Sequence, residues 1–385
     1  MDLEKAILDL LDKHDIDFAL TLPCAKIKRL LTLTSERFVH IPLSREEEGI
    51  GIASGIYLAG KRTVMIIQSG GIGNSLNALL SLALVYRIPI PIIISWRGVY
   101  KEAIEAQIPV GKYLPAIFKA VEFPFVQIKK KDDLGKIDKA LSECFEKNLP
   151  VGIFISPHFW EMSKYEEKAK NQDSEKKSSF PIREANFTLN ITSTKITEPV
   201  ITRYEAIESL KNLLEGKIVV SNIGAPCKEL FSILDQSTNF YMLGSFGLAS
   251  AIGLGIAIAS DKEVVVIDGD ASILTNPNIL GTIIQEKTIS KNLTILLIDN
   301  GTCGSTGNQI TAAYSNIDLE LLARAYGFTN TQKAYTPDDL VTAFNHLEKG
   351  PRLIHIIVKP GNAIVKDVPL SGIEIKERFQ QSFQK

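Results

Sequence analysis

The sequence predicts an α/β protein: two doubly wound parallel-sheet domains joined by a long linker. Three observations carry this. Apolar, β-branched runs alternate with helix-period stretches through both halves, the pattern of parallel strands covered on both faces. Several runs end in Asp, Asn or Gly, the residues of strand-to-helix turns at the carboxyl edge of such a sheet. Midway, a stretch rich in charge, Ser and Thr loses the apolar period altogether. A chain of 385 residues has room for two or three domains, each with its own core.

In the first half the strands fall at Phe18 to Leu22, Phe38 to Leu43, Thr63 to Gln68, Pro91 to Ser95 and Val151 to Ser156, with helices in the intervals. Each run is short, bounded by turn residues and rich in Ile, Val or Phe. The second half uses the same grammar at Lys217 to Ser221, Phe240 to Leu243, Glu263 to Asp268, Leu293 to Asp299 and Arg352 to Lys359. The expected boundaries are a domain over 1–162, a linker over 163–199 and a domain over 200–385. The most apolar uncharged window, Leu243 to Ser260, is rich in Gly and Ala and short for a bilayer span, so it reads as a buried helix.

Composition excludes several partners. Lys plus Arg (43) nearly balance Asp plus Glu (44), so nothing draws the whole molecule to nucleic acid or an anionic membrane. Cys24, Cys144, Cys227 and Cys303 lie far apart with no C-x-x-C pair, which argues against a zinc site or a disulfide framework and for a reducing, cytosolic setting. The N-terminus lacks the uninterrupted apolar core of a signal peptide, and the five histidines form no ligand pattern. There is no G-x-S-x-G elbow and no P-loop. A dinucleotide fingerprint beginning at Gly71 and Gly73 fails at Leu76, which disfavours a nicotinamide-linked oxidoreductase.

Four stretches could carry chemistry. In VVVIDGDASILTN (264–276) and LTILLIDNGTCGSTGNQ (293–309), apolar strands end in acidic, amide and glycine residues. Asp270 and Asn300 stand 30 residues apart, one strand-helix-strand crossover, which places them side by side. A carboxylate, an amide oxygen and a backbone carbonyl suit a hard cation such as Mg²⁺. Gly269, Ala271, Ser272 and Gly301 let backbone N–H groups approach phosphate oxygens. Either turn alone would be an ordinary D-G or N-G turn; the pair at this spacing points to a site.

In IPLSREEEGIGIASGIYLAG (41–60), Ser44 and Glu47 have capping-box spacing, with Glu46 in the first turn of the helix that follows. Acid there is favourable in itself; the small residues Gly49, Gly51, Ala53, Ser54 and Gly55 imply close packing on another element. IIQSGGIGNSLNALL (66–80) supports a strand-to-helix turn with the amides Gln68, Asn74 and Asn77. SWRGVYKEAIEAQIPVGK (95–112) offers Arg97, Lys101 and Lys112 as anion ligands, or equally as a solvated face with Glu102 and Glu105.

Together these stretches resemble the thiamine-diphosphate-dependent 2-oxoacid decarboxylases. GDA at 269–271 and DNG at 299–301 are similar to the family's paired cofactor motif, and Glu46, nine residues before Gly55, matches the spacing of its pyrimidine-contacting glutamate. Within the family the likeness is to sulfopyruvate decarboxylases: LPCAKIKRLL and SREEEGIGIASGIYLAGK resemble the α subunit, YMLGSFGLASAIGLGIA and KPGNAIVKDVPLSGIEIKERF the β subunit, so the chain looks like the two fused.

The resemblance implies the thiamine-diphosphate-binding fold, with a pyrimidine-binding first domain and a diphosphate-binding second one. Asp270, the Asn300 side chain and the Thr302 carbonyl would hold Mg²⁺, and Gly269, Ala271 and Ser272 would line the diphosphate. Gly244 would accept from the cofactor's amino group, with Ser245 beside it and Phe246 as the wedge bending the cofactor. Glu46 would act on the pyrimidine, usually from another subunit, making a homodimer or a dimer of dimers. The implied reaction is decarboxylation of 3-sulfopyruvate to sulfoacetaldehyde and CO₂, as in coenzyme M synthesis, with Arg97, Lys101, Gln107 or Lys112 on the sulfonate. Ile108 after Gln107, where phosphonopyruvate decarboxylases carry histidine, favours the sulfonate over the phosphonate. Other 2-oxoacid decarboxylation or carboligation, and a non-catalytic protein of this fold, are the alternatives.

Overall fold

The computed structural model describes residues 1–164 and 198–383. The expected linker, 163–199, lies outside the described residues except at its two ends.

Two six-stranded, wholly parallel sheets form the framework. The first comprises β1 (Phe18–Thr21), β2 (Val39–Pro42), β3 (Thr63–Gln68), β4 (Pro91–Ser95), β5 (Phe125–Ile128) and β6 (Val151–Ile155), in the order β2-β1-β3-β4-β6-β5. The second comprises β7 (Ile218–Ser221), β8 (Asn239–Tyr241), β9 (Val264–Gly269), β10 (Leu293–Asp299), β13 (Asn330–Ala334) and β14 (Arg352–Ile357). Its order, β13-β14-β10-β9-β7-β8, repeats that of the first sheet read from the other edge. Two short antiparallel strands, β11 (Thr302–Cys303) and β12 (Gln309–Ile310), make a hairpin between β10 and β13.

The central strands are buried along their whole length because helices cover both faces, so they read as continuous apolar runs. Two strands were not expected: β5 (FVQI) and β13 (NTQKA) are edge strands, half-exposed over most of their length, and carry too few apolar residues to stand out.

The halves are joined through glycine. The Glu46–Leu58 helix crosses the Ala249–Ala259 helix with backbones in contact: a Cβ on Gly55 would lie 2.1 Å from the Ile252 carbonyl oxygen, and one on Gly255 2.1 Å from that of Ile52. The close packing implied by the small residues after Glu46 is therefore this helix pair. The expected buried helix of 243–260 is its partner, and among the described residues no helix is long and apolar enough to cross a membrane. The C-terminal Gly372–Gln381 helix bridges the halves as well, its Lys376 ammonium donating to the Arg87 carbonyl and its Gln380 amide to that of Tyr57.

Candidate active site

The second sheet delivers its strand ends to one cavity of about 440 Å³. Asn222 and Gly224 arrive after β7, Gly269, Asp270, Ala271 and Ser272 after β9, and Asn300 and Thr302 after β10. Phe246, from the turn after β8, lines the same space. β9 and β10 are adjacent and pair in register from Leu293 with Val264 to Ile298 with Gly269, which sets Asp270 beside Asn300. A larger concavity of about 970 Å³ opens at the opposite, amino-terminal edge, around Lys217, Glu263 and Arg352, away from every strand-end residue singled out above.

Asp270 is buried, and its Oδ2 accepts from the Thr311 hydroxyl at 2.5 Å. Burial pushes its carboxyl up to about 6, helped by the nearby Asp299 charge and opposed by Thr311. A carboxylate so placed is a poor anion alone and a good one beside a cation. Asp299 points the other way: its Oδ1 accepts from Gly301 N at 2.9 Å and its Oδ2 pairs with the fully buried His355 at 2.9 Å. Asn300 Oδ1 accepts from Thr302 N at 3.1 Å, folding the turn on itself. Asp270, Asn300 and Thr302 line the same cavity; were the Asn300 oxygen released from Thr302 N, these residues would offer one carboxylate, an amide oxygen and a backbone carbonyl, a donor chemistry that suits Mg²⁺. Among the described residues no cluster of three or more His, Cys, Asp or Glu able to hold a metal occurs.

The turn after β8 is strained. Ser245 has φ +58°, a conformation that non-glycine residues rarely adopt. Its hydroxyl meets that of Ser81 at 2.7 Å, and Gly244 sits so close to Ser81 that a Cβ would lie 2.7 Å from its carbonyl oxygen. Ser81 lies in a π-helical turn, Leu79–Leu84, so the first half braces this turn of the second.

Glu46 is buried at the first position of its helix. The Asn74 amide donates to its Oε2 at 3.0 Å. A Cβ on Gly71 would fall 2.4 Å from Glu46 Cγ and 2.5 Å from Oε1. The QSGGIGN stretch, whose spacing supports only a strand-to-helix turn, opens the Ser69–Ala78 helix, and its Gly71 and Asn74 pack against the Glu46 carboxyl. The expected capping box does not form. Arg45 is the N-cap and no side chain caps the helix. Ser44 N instead donates to Glu48 Oε1 at 2.7 Å, and the Ser44 hydroxyl meets Thr282 of the second half at 3.1 Å. Interdomain contact has taken over the Ser44 hydroxyl, while Glu47 pairs with Arg45 at 3.2 Å.

Seven of the ten expected cofactor residues line the cavity: Phe246, Gly269, Asp270, Ala271, Ser272, Asn300 and Thr302. Gly244 and Ser245 stand in the turn beside it, while Glu46 lines no part of it within one chain. The four expected anion residues also lie elsewhere. Arg97 is engaged by Glu102 through Nε at 2.6 Å and Nη2 at 2.7 Å, and this pairing holds the Glu102 carboxyl down to about 2. Lys101 pairs with Glu161 at 3.1 Å. Gln107 Oε1 is buried without a partner, and the exposed Lys112 ammonium rests 5.1 Å from the Tyr113 ring centroid. Arg203, Asn222, Gly224 and Asn362 line the cavity unannounced by any motif. SNIG at 221–224, following a strand, was a usable signal for two of them.

Known proteins match this architecture. The family model described as the thiamine pyrophosphate enzyme, N-terminal TPP binding domain, matches residues 1–114, and that of the C-terminal TPP binding domain matches residues 223–356. A sulfopyruvate decarboxylase from Methanosarcina acetivorans is 42% identical over 98% of this chain and 97% of its own. The chain belongs to the thiamine pyrophosphate enzymes.

Its two halves match separate proteins. A sulfopyruvate decarboxylase subunit alpha from Methanococcus maripaludis is 44% identical over 42% of this chain and 95% of its own, and a subunit beta from Methanothermobacter thermautotrophicus 44% identical over 47% and 94%. The chain is thus an α-like half followed by a β-like half, as the sequence resemblance implied. A phosphonopyruvate decarboxylase from Streptomyces hygroscopicus is 30% identical over 93% of this chain and 88% of its own. A solved benzoylformate decarboxylase from Polynucleobacter necessarius superposes with TM-score 0.70 at 14% identity, over 96% of this chain and all of its own, which speaks for the fold. This member of the family is an enzyme, a carbon-carbon lyase of the 2-oxoacid decarboxylase group.

Proposed function

We propose that the chain decarboxylates 3-sulfopyruvate to sulfoacetaldehyde and CO₂, using thiamine diphosphate and Mg²⁺, as a cytoplasmic enzyme of coenzyme M synthesis. The observation that carries this reading is the cavity where Asp270 and Asn300 meet from adjacent strands, within a chain that matches a sulfopyruvate decarboxylase along nearly its whole length.

Bound thiamine diphosphate supplies a thiazolium ring that accepts the electron pair left when the substrate carboxylate departs as CO₂. This chain's residues do the rest. Asp270, the Asn300 amide oxygen and the Thr302 carbonyl would hold Mg²⁺, whose charge would favour the ionised form of the buried Asp270 carboxyl. Gly269, Ala271 and Ser272 present small side chains and backbone N–H groups to the diphosphate. Gly244 offers its carbonyl and Phe246 its ring to orient the cofactor, on a turn braced by Ser81. Glu46 holds and releases a proton at Oε1, since Oε2 already accepts from Asn74. It serves the cavity of a second copy, so that the active unit is a homodimer or a dimer of dimers. Of the cations expected on the sulfonate, Lys112 meets no carboxylate among the described residues, whereas Arg97 would have to release Glu102.

The test is Glu46→Gln beside the wild type, with CO₂ release and cofactor binding both measured. The variant keeps the cofactor and loses most of its turnover; near-normal turnover would remove Glu46 from the reaction.

A further inference from the structure

We propose that Asn362 is a positioning residue for the cofactor cavity: it pins the hairpin that carries Thr302, through a buried Arg203–Glu229 pair. This rests on the cavity being the cofactor site.

The hairpin from Gly301 to Thr311 walls one side of the cavity. Its base is closed by Thr311 N donating to the Gly301 carbonyl at 2.9 Å, and the Thr311 hydroxyl ties that base to Asp270. Beyond the base, residues 305–310 are exposed, so nothing packed beneath them holds the arm in place. A hairpin fixed only at its base can hinge about it, and Thr302, buried beside Gly301 with its N–H on Asn300 Oδ1, stands at that hinge.

The second anchor is Asn362. Its Nδ2 donates to the Gly304 carbonyl at 3.0 Å, and its Oδ1 accepts from Arg203 Nη2 at 2.8 Å. Gly304 makes the contact possible, because a Cβ there would fall 2.8 Å from Asn362 Oδ1. Asn362 is itself exposed and could not hold a fixed position unaided. Arg203 supplies that position. It is buried, and a two-point pairing with the buried Glu229, at 2.8 and 2.9 Å, fixes its guanidinium plane. Glu229 Oε1 also accepts from Ala363 N at 3.0 Å, holding the backbone next to Asn362. Asn362 thus joins Arg203, at the start of the Arg203–Ser209 helix, to Gly304 in the hairpin, while Glu229 in the Ala225–Ile233 helix holds Arg203 and the Ala363 N–H. Arg203, Gly304 and Asn362 all line the cavity. A buried ion pair is costly to build; here it sets the orientation of one exposed amide over the wall of the site.

Asn362→Ala removes both hydrogen bonds and, because the residue is exposed, leaves the core packing alone. The expected result is a three- to tenfold weaker binding of thiamine diphosphate with Mg²⁺ in titration calorimetry, the consequence of losing one or two ordinary hydrogen bonds. The apo protein should melt within about 2 °C of wild type. Limited proteolysis should cut the variant faster within 304–310. Asn362→Asp, which keeps the acceptor for Arg203 and loses the donor to Gly304, should bind the cofactor as weakly as Asn362→Ala. Unchanged cofactor affinity in Asn362→Ala, or a lower apo melting temperature with unchanged affinity, would overturn the proposal. If neither protein binds the cofactor, the assignment of the cavity fails instead, and the proteolysis comparison alone decides whether Asn362 pins the hairpin.

Discussion

Replacing Gly71 with alanine tests whether the first turn of the helix after β3 is shaped to seat Glu46. The added methyl would lie 2.4 Å from Glu46 Cγ, 2.5 Å from Oε1 and 2.6 Å from Cδ. Reaching an ordinary contact of about 3.4 Å requires the carboxylate to move by about 1 Å, a misplacement that can cost on the order of a hundredfold in rate. The fold should suffer little: Gly71 lies inside the Ser69–Ala78 helix, where alanine is intrinsically the better residue by up to about 1 kcal/mol. Gly73 is the internal control, being in the same helix with nothing within 4 Å of a Cβ. Steady-state CO₂ release, with melting curves for each protein, separates the outcomes. Gly71→Ala should keep its melting temperature and lose about two orders of magnitude in kcat, while Gly73→Ala should keep both. Wild-type kcat in Gly71→Ala, or equal losses in the two variants, would refute the reasoning.

Three further predictions follow from the same contacts. Gly55→Ala forces a methyl against the Ile252 carbonyl in the helix crossing that joins the halves and should cost at least 1–3 kcal/mol, read as a lower urea midpoint. Asp270→Ala should abolish the rise in melting temperature that thiamine diphosphate and Mg²⁺ give the wild type; an undiminished rise would move the metal elsewhere. Glu102 is held to about 2 by Arg97, so the pair contributes stability above the ordinary carboxyl value near 4.5 and loses it as pH falls toward 2. Glu102→Gln should accordingly flatten the acid limb of the stability curve, and an unchanged limb would show that the Arg97 pairing contributes nothing there.

The framework was legible wherever burial wrote a continuous apolar run, as in β4 and β10, and also at the edge strands β2 and β8, but not at the other two edges, where β5 and β13 mix polar residues into half-exposed strands. Asp270 and Asn300 could be read because each directly follows such a run, and adjacency of β9 and β10 did the rest. Glu46 was ambiguous, since acid at a helix start is favourable without any further role. Gly71 and Asn74 could not be assigned because their meaning depends on a side chain 25 or more positions away that only the fold brings near. Arg203 and Asn362 lie further still from one another in sequence. At Arg97, spacing left an anion ligand and a face shared with Glu102 and Glu105 equally open, and the structure pairs it with Glu102.

The most direct test of the account is CO₂ release by the purified protein from 3-sulfopyruvate and, separately, from phosphonopyruvate, each with and without thiamine diphosphate and Mg²⁺. Turnover that needs both additions and is confined to sulfopyruvate is the predicted result. Turnover of phosphonopyruvate alone, or none with either acid while the cofactor is bound, would contradict it.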